Sequence, residues 1–139
     1  MPAFRHRLRV RYVECDAQGV VFNAHYLAYF DIGITELWRE ALGSYQDMLD
    51  AGVDVVVAEA GIRFRDGLRF DDEFDLVMTI SRLGETSMTT DFRVERAGGE
   101  LCAEGELRHV FVKAGMTEKI PIPDDIRAGL EPYTAAASD

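Results

Sequence analysis

The fold is decided by residues 12–31, which read YVECDAQGVVFNAHYLAYFD. Asp16 stands at the end of an alternating, strand-like segment, and Gly19 closes the short polar loop that follows it. From residue 23 to residue 42 the apolar spacing predicts a long helix, which ends before a glycine in the usual C-cap position. Because this helix is apolar nearly all round at its start, we expect more than one neighbouring element to bury it.

Outside this stretch the chain is predicted to be mostly strands. Alternation over residues 4–12 predicts a half-buried strand with four arginines on its outer face. Four later segments have strand-like patterns: 53–64, 74–80, 88–94 and 101–111. Residues 97–100, AGGE, predict a hairpin turn, and short helices are expected at residues 45–51 and 124–130. Strands joined by short turns are antiparallel, so the long helix must lie on one face of a curved antiparallel sheet.

Composition limits the class of protein. The chain has 139 residues, 47% of them hydrophobic, which suffices for one core without disulfides or metal. We expect one domain over residues 1–133 and a flexible tail over residues 134–139. The formal net charge of -10 argues against nucleic acid or a membrane as partner. Two cysteines, Cys15 and Cys102, suit a reducing compartment, so we expect a cytoplasmic location.

Several catalytic motifs are missing from the sequence. None of the four serines lies in G-x-S-x-G, and there is no C-x-x-C, H-E-x-x-H or glycine-rich nucleotide loop. The three histidines are isolated in sequence, so we expect neither a metal nor a cofactor. His6 and His109 fall on apolar strand faces and are predicted to be hydrogen-bonded core residues.

The segment that joins the first strand to the long helix, residues 12–26, places a carboxylate beside a helix N-terminus. The first turn of a helix presents unpaired N–H groups and a partial positive charge, which can hold a developing oxyanion. A carbonyl bound there could lie within reach of Asp16. The structural alternative is that Asp16 only caps a turn and Gly19 relieves its strain, because Asp-x-x-Gly turns are common.

The same residues resemble the signature of hotdog-fold acyl-CoA thioesterases of the 4-hydroxybenzoyl-CoA thioesterase type. That signature is an Asp, two residues, a Gly, an aliphatic pair, an aromatic residue, and a Tyr ten positions after the Asp. The matching positions here are Asp16, Gly19, Val20, Val21, Phe22 and Tyr26. Element order and length match over nearly the whole chain, so the resemblance favours a catalytic role for Asp16 over a turn cap.

The resemblance implies an α+β hotdog fold, in which a five-stranded antiparallel sheet wraps a long central helix. It also implies active sites at a dimer interface, in a homodimer or homotetramer. Asp16 would be the catalytic carboxylate, as nucleophile or as base for water, and the backbone N–H of Asn23 would polarise the thioester carbonyl. A thiolate leaves more easily than an alkoxide, so such a site needs no strong general acid.

The expected substrate-binding residues follow from the same resemblance. Phe22, Tyr26 and Phe64 would line the acyl pocket beside Gly19, and aromatic, short-chain and long-chain acyl groups all suit it. Some relatives hold the coenzyme A phosphates with a basic cluster between the third and fourth strands, where this chain has Arg82. Other candidate cations are Arg63, Arg65 and Arg69.

We therefore predict a cytoplasmic acyl-CoA thioesterase that releases free acid and coenzyme A without metal or cofactor. One alternative is a non-catalytic module that binds acyl-CoA or an acyl carrier. Another is a hotdog hydratase or dehydratase, although the paired His and acid it needs is not found. Cys15 is expected to be a small buried residue rather than a nucleophile. Glu36, where another branch of hotdog thioesterases has its carboxylate, is the second carboxylate candidate.

Overall fold

A computed structural model describes residues 3–135. Its elements are β1 (Phe4–Arg9), a 3₁₀ turn (Tyr12–Glu14), α1 (His25–Leu42), α2 (Tyr45–Asp50), β2 (Val53–Phe64), β3 (Glu73–Leu83), β4 (Ser87–Arg96), β5 (Leu101–Lys113), α3 (Asp124–Leu130) and a second 3₁₀ turn (Glu131–Tyr133). The strands lie in the order β1-β3-β4-β5-β2, and all neighbours are antiparallel. The predicted antiparallel sheet is confirmed, with β1 and β2 as its edges.

Helix α1 crosses one face of this sheet and is held there by large side chains. Phe30 stacks on Phe92 of β4, with ring centroids 4.3 Å apart. Gly33 permits a close approach to β3, since a Cβ there would lie 2.9 Å from the sulfur of Met78. Trp38 meets β5 at the other end of the helix, edge-on to an aromatic ring. The 18-residue helix is therefore buried by several strands, and the predicted α+β arrangement, a helix packed on a five-stranded antiparallel sheet, is confirmed.

The first strand is shorter than its alternating pattern predicts. β1 ends at Arg9, because the next backbone segment turns toward the loop before β3: the amide of Val10 donates to the carbonyl of Asp72 at 2.9 Å. Tyr12 then opens a 3₁₀ turn instead of continuing the strand. Its side chain is 77% exposed and meets Phe70 edge-on at 5.9 Å. The predicted place of Tyr12 on the apolar strand face is therefore wrong.

The turn between β4 and β5 is the predicted glycine hairpin. Gly98 and Gly99 have φ values of 110° and 98°, in the region that only glycine adopts without strain. The amide of Arg96 donates to the carbonyl of Glu100 at 2.8 Å and closes the turn. This hairpin brings Arg96 and Glu100 together at one end of the sheet.

The first two residues of the predicted tail, Thr134 and Ala135, contact β3. Thr134 is buried and bridges Ile80 of β3, and the amide of Ala135 donates to the carbonyl of Ile80 at 2.9 Å. These two residues extend the packed chain past the predicted boundary at residue 133. The rest of the predicted tail, residues 136–139, lies outside the described residues.

His109 is a core residue of β5, but its ring is not fully hydrogen-bonded. The residue is 2% exposed, and its Nδ1 has no hydrogen-bond partner within residues 3–135. The predicted hydrogen bonding is therefore wrong for Nδ1 of His109, whose ring packs edge-on against Trp38 at 6.2 Å. Burial lowers the pKa of His109 to about 4, so the ring is neutral at pH 7.

We expect His109 to make the protein less stable in acid. The unfolded histidine titrates near its ordinary pKa of 6.5, whereas the folded one titrates at about 4. Between these values the unfolded chain takes up a proton that the folded chain does not. The stabilising effect is complete above pH 6.5 and is lost as the pH falls toward 4, by about 2 to 3 kcal/mol.

This acid effect can be measured by chemical denaturation at pH 7 and pH 4.5. The His109→Gln variant lacks the titrating ring, so its free energy of unfolding should fall by about 2 to 3 kcal/mol less than that of the wild type. Equal losses in the two proteins would contradict the prediction.

Candidate active site

A short hairpin carries Asp16 to the beginning of α1. The amide of Phe22 donates to the carbonyl of Glu14 at 2.9 Å, and the amide of Asp16 donates to the carbonyl of Val20 at 2.9 Å. Residues 17–19 form the tip, beyond the bond between Asp16 and Val20. Because the chain doubles back on itself here, the carboxylate and the helix start lie on one side of the fold.

The tip of this hairpin is the predicted Asp-x-x-Gly turn. Gly19 has a φ of 82°, and its amide donates to the carbonyl of Asp16 at 3.0 Å. The amide of Gln18 donates to Oδ1 of Asp16 at 2.8 Å. No other residue in the described part of the chain hydrogen-bonds to this side chain. Asp16 therefore caps the turn with one carboxylate oxygen and keeps the other, Oδ2, available.

The start of α1 presents two unused amides. The helix begins at His25, two residues after the predicted start, and the amide of His25 donates to the carbonyl of Phe22 at 2.8 Å. The amides of Asn23 and Ala24, just before it, donate to no protein acceptor within residues 3–135. These N–H groups lie at the positive end of the helix dipole, where an oxyanion is stabilised.

Most of the predicted site residues line one pocket of about 370 Å³. The predicted residues that line it are Asp16, Phe22, Asn23, Tyr26 and Phe64. The ring of Tyr26 meets that of Phe64 edge-on at 5.3 Å, and Tyr26 is buried while Phe22 and Phe64 are half exposed. Gly19 shapes the adjoining turn and does not line the pocket. The opening is thus aromatic, with a carboxylate and a free amide at its edge.

The structure does not bring Arg82 to this pocket. Arg82 lies near the end of β3, in register with Thr89 of β4. β3 begins at Glu73, next to the pocket wall, and nine residues of strand extend about 30 Å. Arg82 therefore does not line this pocket, and its contact with coenzyme A stays a prediction.

Two of the other candidate cations lie near the pocket. Arg65 lines it and pairs with Glu104 at 2.6 Å, whereas Arg63 reaches the carboxylates of β5 only at 3.8 to 4.0 Å. A guanidinium nitrogen of Arg69 lies 3.9 Å from the position that a Cβ on Gly19 would take. Within residues 3–135 Arg69 forms no ion pair, so its charge is available beside the turn.

The loop between β2 and β3, residues 65–72, begins at the pocket, and we name it the wall segment. Asp66 and Gly67 line the pocket together with Arg65. The amide of Val21 donates to the carbonyl of Leu68 at 2.8 Å, which attaches the wall segment to the Asp16 hairpin. The sequence pattern did not predict this wall, although its Asp-Gly pair is a turn signal.

A side-chain hydrogen bond links the Asp16 hairpin to α1. The hydroxyl of Tyr29 donates to Oε1 of Glu14 at 2.7 Å, and the same oxygen accepts the amide of Arg11 at 2.8 Å. Burial and the neighbouring Glu14 carboxylate raise the pKa of Tyr29, so the phenol keeps its proton. No sequence pattern predicts this bond, because its partners are 15 residues apart.

The rival catalytic candidates lie outside the pocket. Glu36 pairs with Arg39 at 2.6 Å, and this guanidinium holds the pKa of Glu36 below its ordinary value. Cys15 is half-buried, and its Sγ is 3.9 Å from the carbonyl of Arg11. Neither residue lines the pocket that contains Asp16.

Among residues 3–135, no three His, Cys, Asp or Glu side chains are grouped so as to hold a metal ion. No helix of that range is both long and apolar enough to cross a membrane. Cys15 and Cys102 are free thiols. Free thiols are typical of a reducing compartment, and the cytoplasmic location stays a prediction.

Comparison with known proteins identifies the family. The model of the thioesterase-like superfamily matches residues 10–130. The chain is 30% identical over 125 residues to the acyl-CoA thioester hydrolase YbgC of Escherichia coli, covering 90% of this chain and 93% of that protein. It is 26% identical to the 1,4-dihydroxy-2-naphthoyl-CoA hydrolase of Thermosynechococcus vestitus, covering 99% and 95% of the two chains.

A solved structure agrees with this match. The thioesterase-superfamily protein from Jannaschia sp. CCS1 superposes with a TM-score of 0.88 at 25% identity, covering 95% of this chain and 93% of that one. The fold, the pocket and the matched relatives together define a hotdog thioesterase. The chain belongs to the thioesterase-like superfamily, and it is an enzyme of thioester hydrolysis.

Proposed function

We propose that this protein hydrolyses acyl-CoA thioesters, with Asp16 and the unused amides of Asn23 and Ala24 acting on one carbonyl. The observation that carries the proposal is the shared pocket, which has the Asp16 carboxylate and the helix start at its edge. The matched relatives named for acyl-CoA thioester hydrolysis support coenzyme A as the leaving group.

The binding mode follows from the chemistry of these groups. The carbonyl oxygen of the thioester accepts hydrogen bonds from the free amides, and the acyl chain enters the aromatic opening formed by Phe22, Tyr26 and Phe64. As the carbonyl becomes tetrahedral, its oxygen gains negative charge at the positive end of α1. Preorganised backbone donors stabilise such a charge more strongly than water does.

Asp16 then acts by one of two balanced routes. In the first, its carboxylate attacks the carbonyl carbon, the C–S bond breaks, and water hydrolyses the resulting anhydride. In the second, the carboxylate takes a proton from a water molecule that attacks the carbonyl, and the departing thiolate takes up that proton. Both routes need the same oxyanion site, and a thiolate leaves without help from a strong acid.

Acyl-CoA substrates and a chromogenic thiol reagent test this function. We expect multiple turnovers with release of the coenzyme A thiol. Saturable binding of acyl-CoA without thiol release would instead identify a non-catalytic binding module. A panel that varies chain length and includes aromatic acids identifies the acyl group that the pocket prefers.

We also propose that the protein associates through its β2 edge, as a homodimer or as a homotetramer built from such dimers. β2 is a 12-residue edge strand on which Val56 and Val57 are 44% and 53% exposed. A long edge with exposed apolar side chains is a template for pairing with another strand. A second copy paired there would continue the sheet across both subunits.

Sedimentation at micromolar concentration should give two or four times the chain mass of 15.6 kDa. Val57→Lys should shift the protein toward the monomer, because a lysine on an edge strand opposes pairing. Met116→Lys is the matched control, since Met116 is also exposed but lies in the turn after β5. A wild type that sediments only near 15.6 kDa would contradict the prediction.

A further inference from the structure

Arg96, the last residue of β4, holds the wall segment through several hydrogen bonds. Its guanidinium donates to the carbonyl of Gly67 at 2.7 Å and to the carboxylates of Asp66 at 2.9 Å and Asp72 at 3.3 Å. Glu100, across the hairpin, is a further acceptor. The side chains of Arg96 and Asp72 are 23% and 28% exposed, whereas those of Asp66 and Glu100 are more than half exposed. One cation thus ties the end of β4 to both ends of the wall segment.

A short chain of contacts leads from Arg96 to the Asp16 hairpin. Asp66 and Gly67, which Arg96 binds, line the pocket. The next residue, Leu68, accepts the amide of Val21 through its carbonyl at 2.8 Å. Gly67 also packs tightly against the hairpin, since a Cβ there would lie 2.8 Å from a methyl group of Val20. Movement of the wall segment therefore moves the hairpin.

The carboxylates around Arg96 need its positive charge. Without it, the carboxylates of Asp66, Asp72 and Glu100 would face one another in a chain whose formal net charge is already -10. The guanidinium beside Asp66 holds the pKa of that carboxyl below its ordinary value. Removing the cation leaves these carboxylates to repel one another and leaves the carbonyl of Gly67 without its donor.

We propose that Arg96 is a positioning residue for thioester hydrolysis, which fixes the wall segment and so keeps Asp16 aligned with the start of α1. The proposal rests on the proposed function of Asp16. It places no contact between Arg96 and the substrate. Because a misplacement of about 1 Å can cost about a hundredfold in rate, a loosened wall lowers kcat more than it weakens binding.

The test compares Arg96→Met with Arg93→Met. Arg93 lies on the same strand and its loss changes the net charge equally. Within residues 3–135 its side chain donates only to Glu95, at 3.1 Å, and it is 51% exposed. With kcat normalised to folded protein, Arg96→Met should lose about tenfold to a hundredfold, and KM should change by less than about threefold. Arg93→Met should match the wild type.

Hydrogen exchange of the Val21 amide gives a readout that does not depend on activity. The hydrogen bond to Leu68 protects this amide. At equal global stability the Val21 amide hydrogen should exchange about tenfold faster in Arg96→Met than in the wild type. In Arg93→Met it should exchange at the wild-type rate. If the wild type hydrolysed no acyl-CoA, the proposed function would fail, whereas this exchange rate would still decide whether Arg96 holds the hairpin.

Several results would overturn the proposal. These are a kcat within about twofold of the wild type, an unchanged Val21 exchange rate, or a raised KM with unchanged kcat, which would indicate substrate contact instead. If Arg96→Met does not fold, Arg96→Lys decides, because lysine keeps the charge but cannot bind all the acceptors at once. Arg96→Lys should lose about threefold or more in kcat. A wild-type kcat in that variant, or failure of both variants to fold, would also overturn the positioning role.

Discussion

Asp16→Asn should lower kcat for acyl-CoA hydrolysis by on the order of 10² to 10⁴ while the protein stays folded. The amide keeps the size of the carboxylate but can neither attack a carbonyl nor accept a proton from water. The turn should survive, because the asparagine oxygen can still accept the amide of Gln18, which now lies 2.8 Å from Oδ1 of Asp16.

The measurement is steady-state thiol release by the wild type and the variant, with a thermal melt of each. Glu36→Gln is the matched control, since Glu36 is a carboxylate paired with Arg39 outside the pocket, and it should keep the wild-type kcat. A folded Asp16→Asn variant with wild-type kcat would show that Asp16 serves only as a turn cap.

Asn23→Pro should lower kcat by on the order of 10² to 10³, the usual loss when one oxyanion donor is removed. Proline has no N–H, so one of the two free amides at the start of α1 disappears. The fold should tolerate the change, because this amide donates to no protein acceptor in the described chain and Asn23 lies before α1, so a proline there removes no helical hydrogen bond.

Asn23→Ala distinguishes the effect of the Asn23 backbone amide on kcat from the effect of its side chain. Alanine keeps the N–H and removes only an exposed amide side chain, so kcat should stay within about threefold of the wild type. Thiol release and a thermal melt of both variants check this pair. Equal losses in Asn23→Pro and Asn23→Ala would assign the effect to the side chain and contradict an oxyanion role for the amide.

Local patterns predicted much of this fold, because the features concerned depend on residues close in sequence. The period of α1, the glycine pair of the β4–β5 hairpin and the bounds of β2 are all features of single segments. β1 was predicted too long because its alternation continues through Tyr12, whereas hydrogen bonds to the loop before β3 end the strand at Arg9. Contacts of that range leave no periodic signal in the sequence.

The same distinction applies to the site. Asp16, Phe22 and Tyr26 belong to one signature, and they lie on one hairpin and on the first turn of the helix that follows it. The wall segment and the Arg96 contacts depend on how β4 meets the loop after β2, which no short motif encodes. Arg82 lies toward the end of β3 and does not line this pocket, so its contact with coenzyme A stays a prediction from the resemblance.

The catalytic role of Asp16 is tested most directly by measuring substrate binding and turnover in one variant, Asp16→Asn. An acyl-CoA that the wild type hydrolyses is titrated into the folded variant by calorimetry, and thiol release is followed in parallel. We expect the intact thioester to bind with a Kd close to the KM of the wild type, while thiol release is at least about a hundredfold slower. Binding accompanied by release at more than about a tenth of the wild-type rate, a barrier change below about 1.4 kcal/mol, would contradict a catalytic role for Asp16.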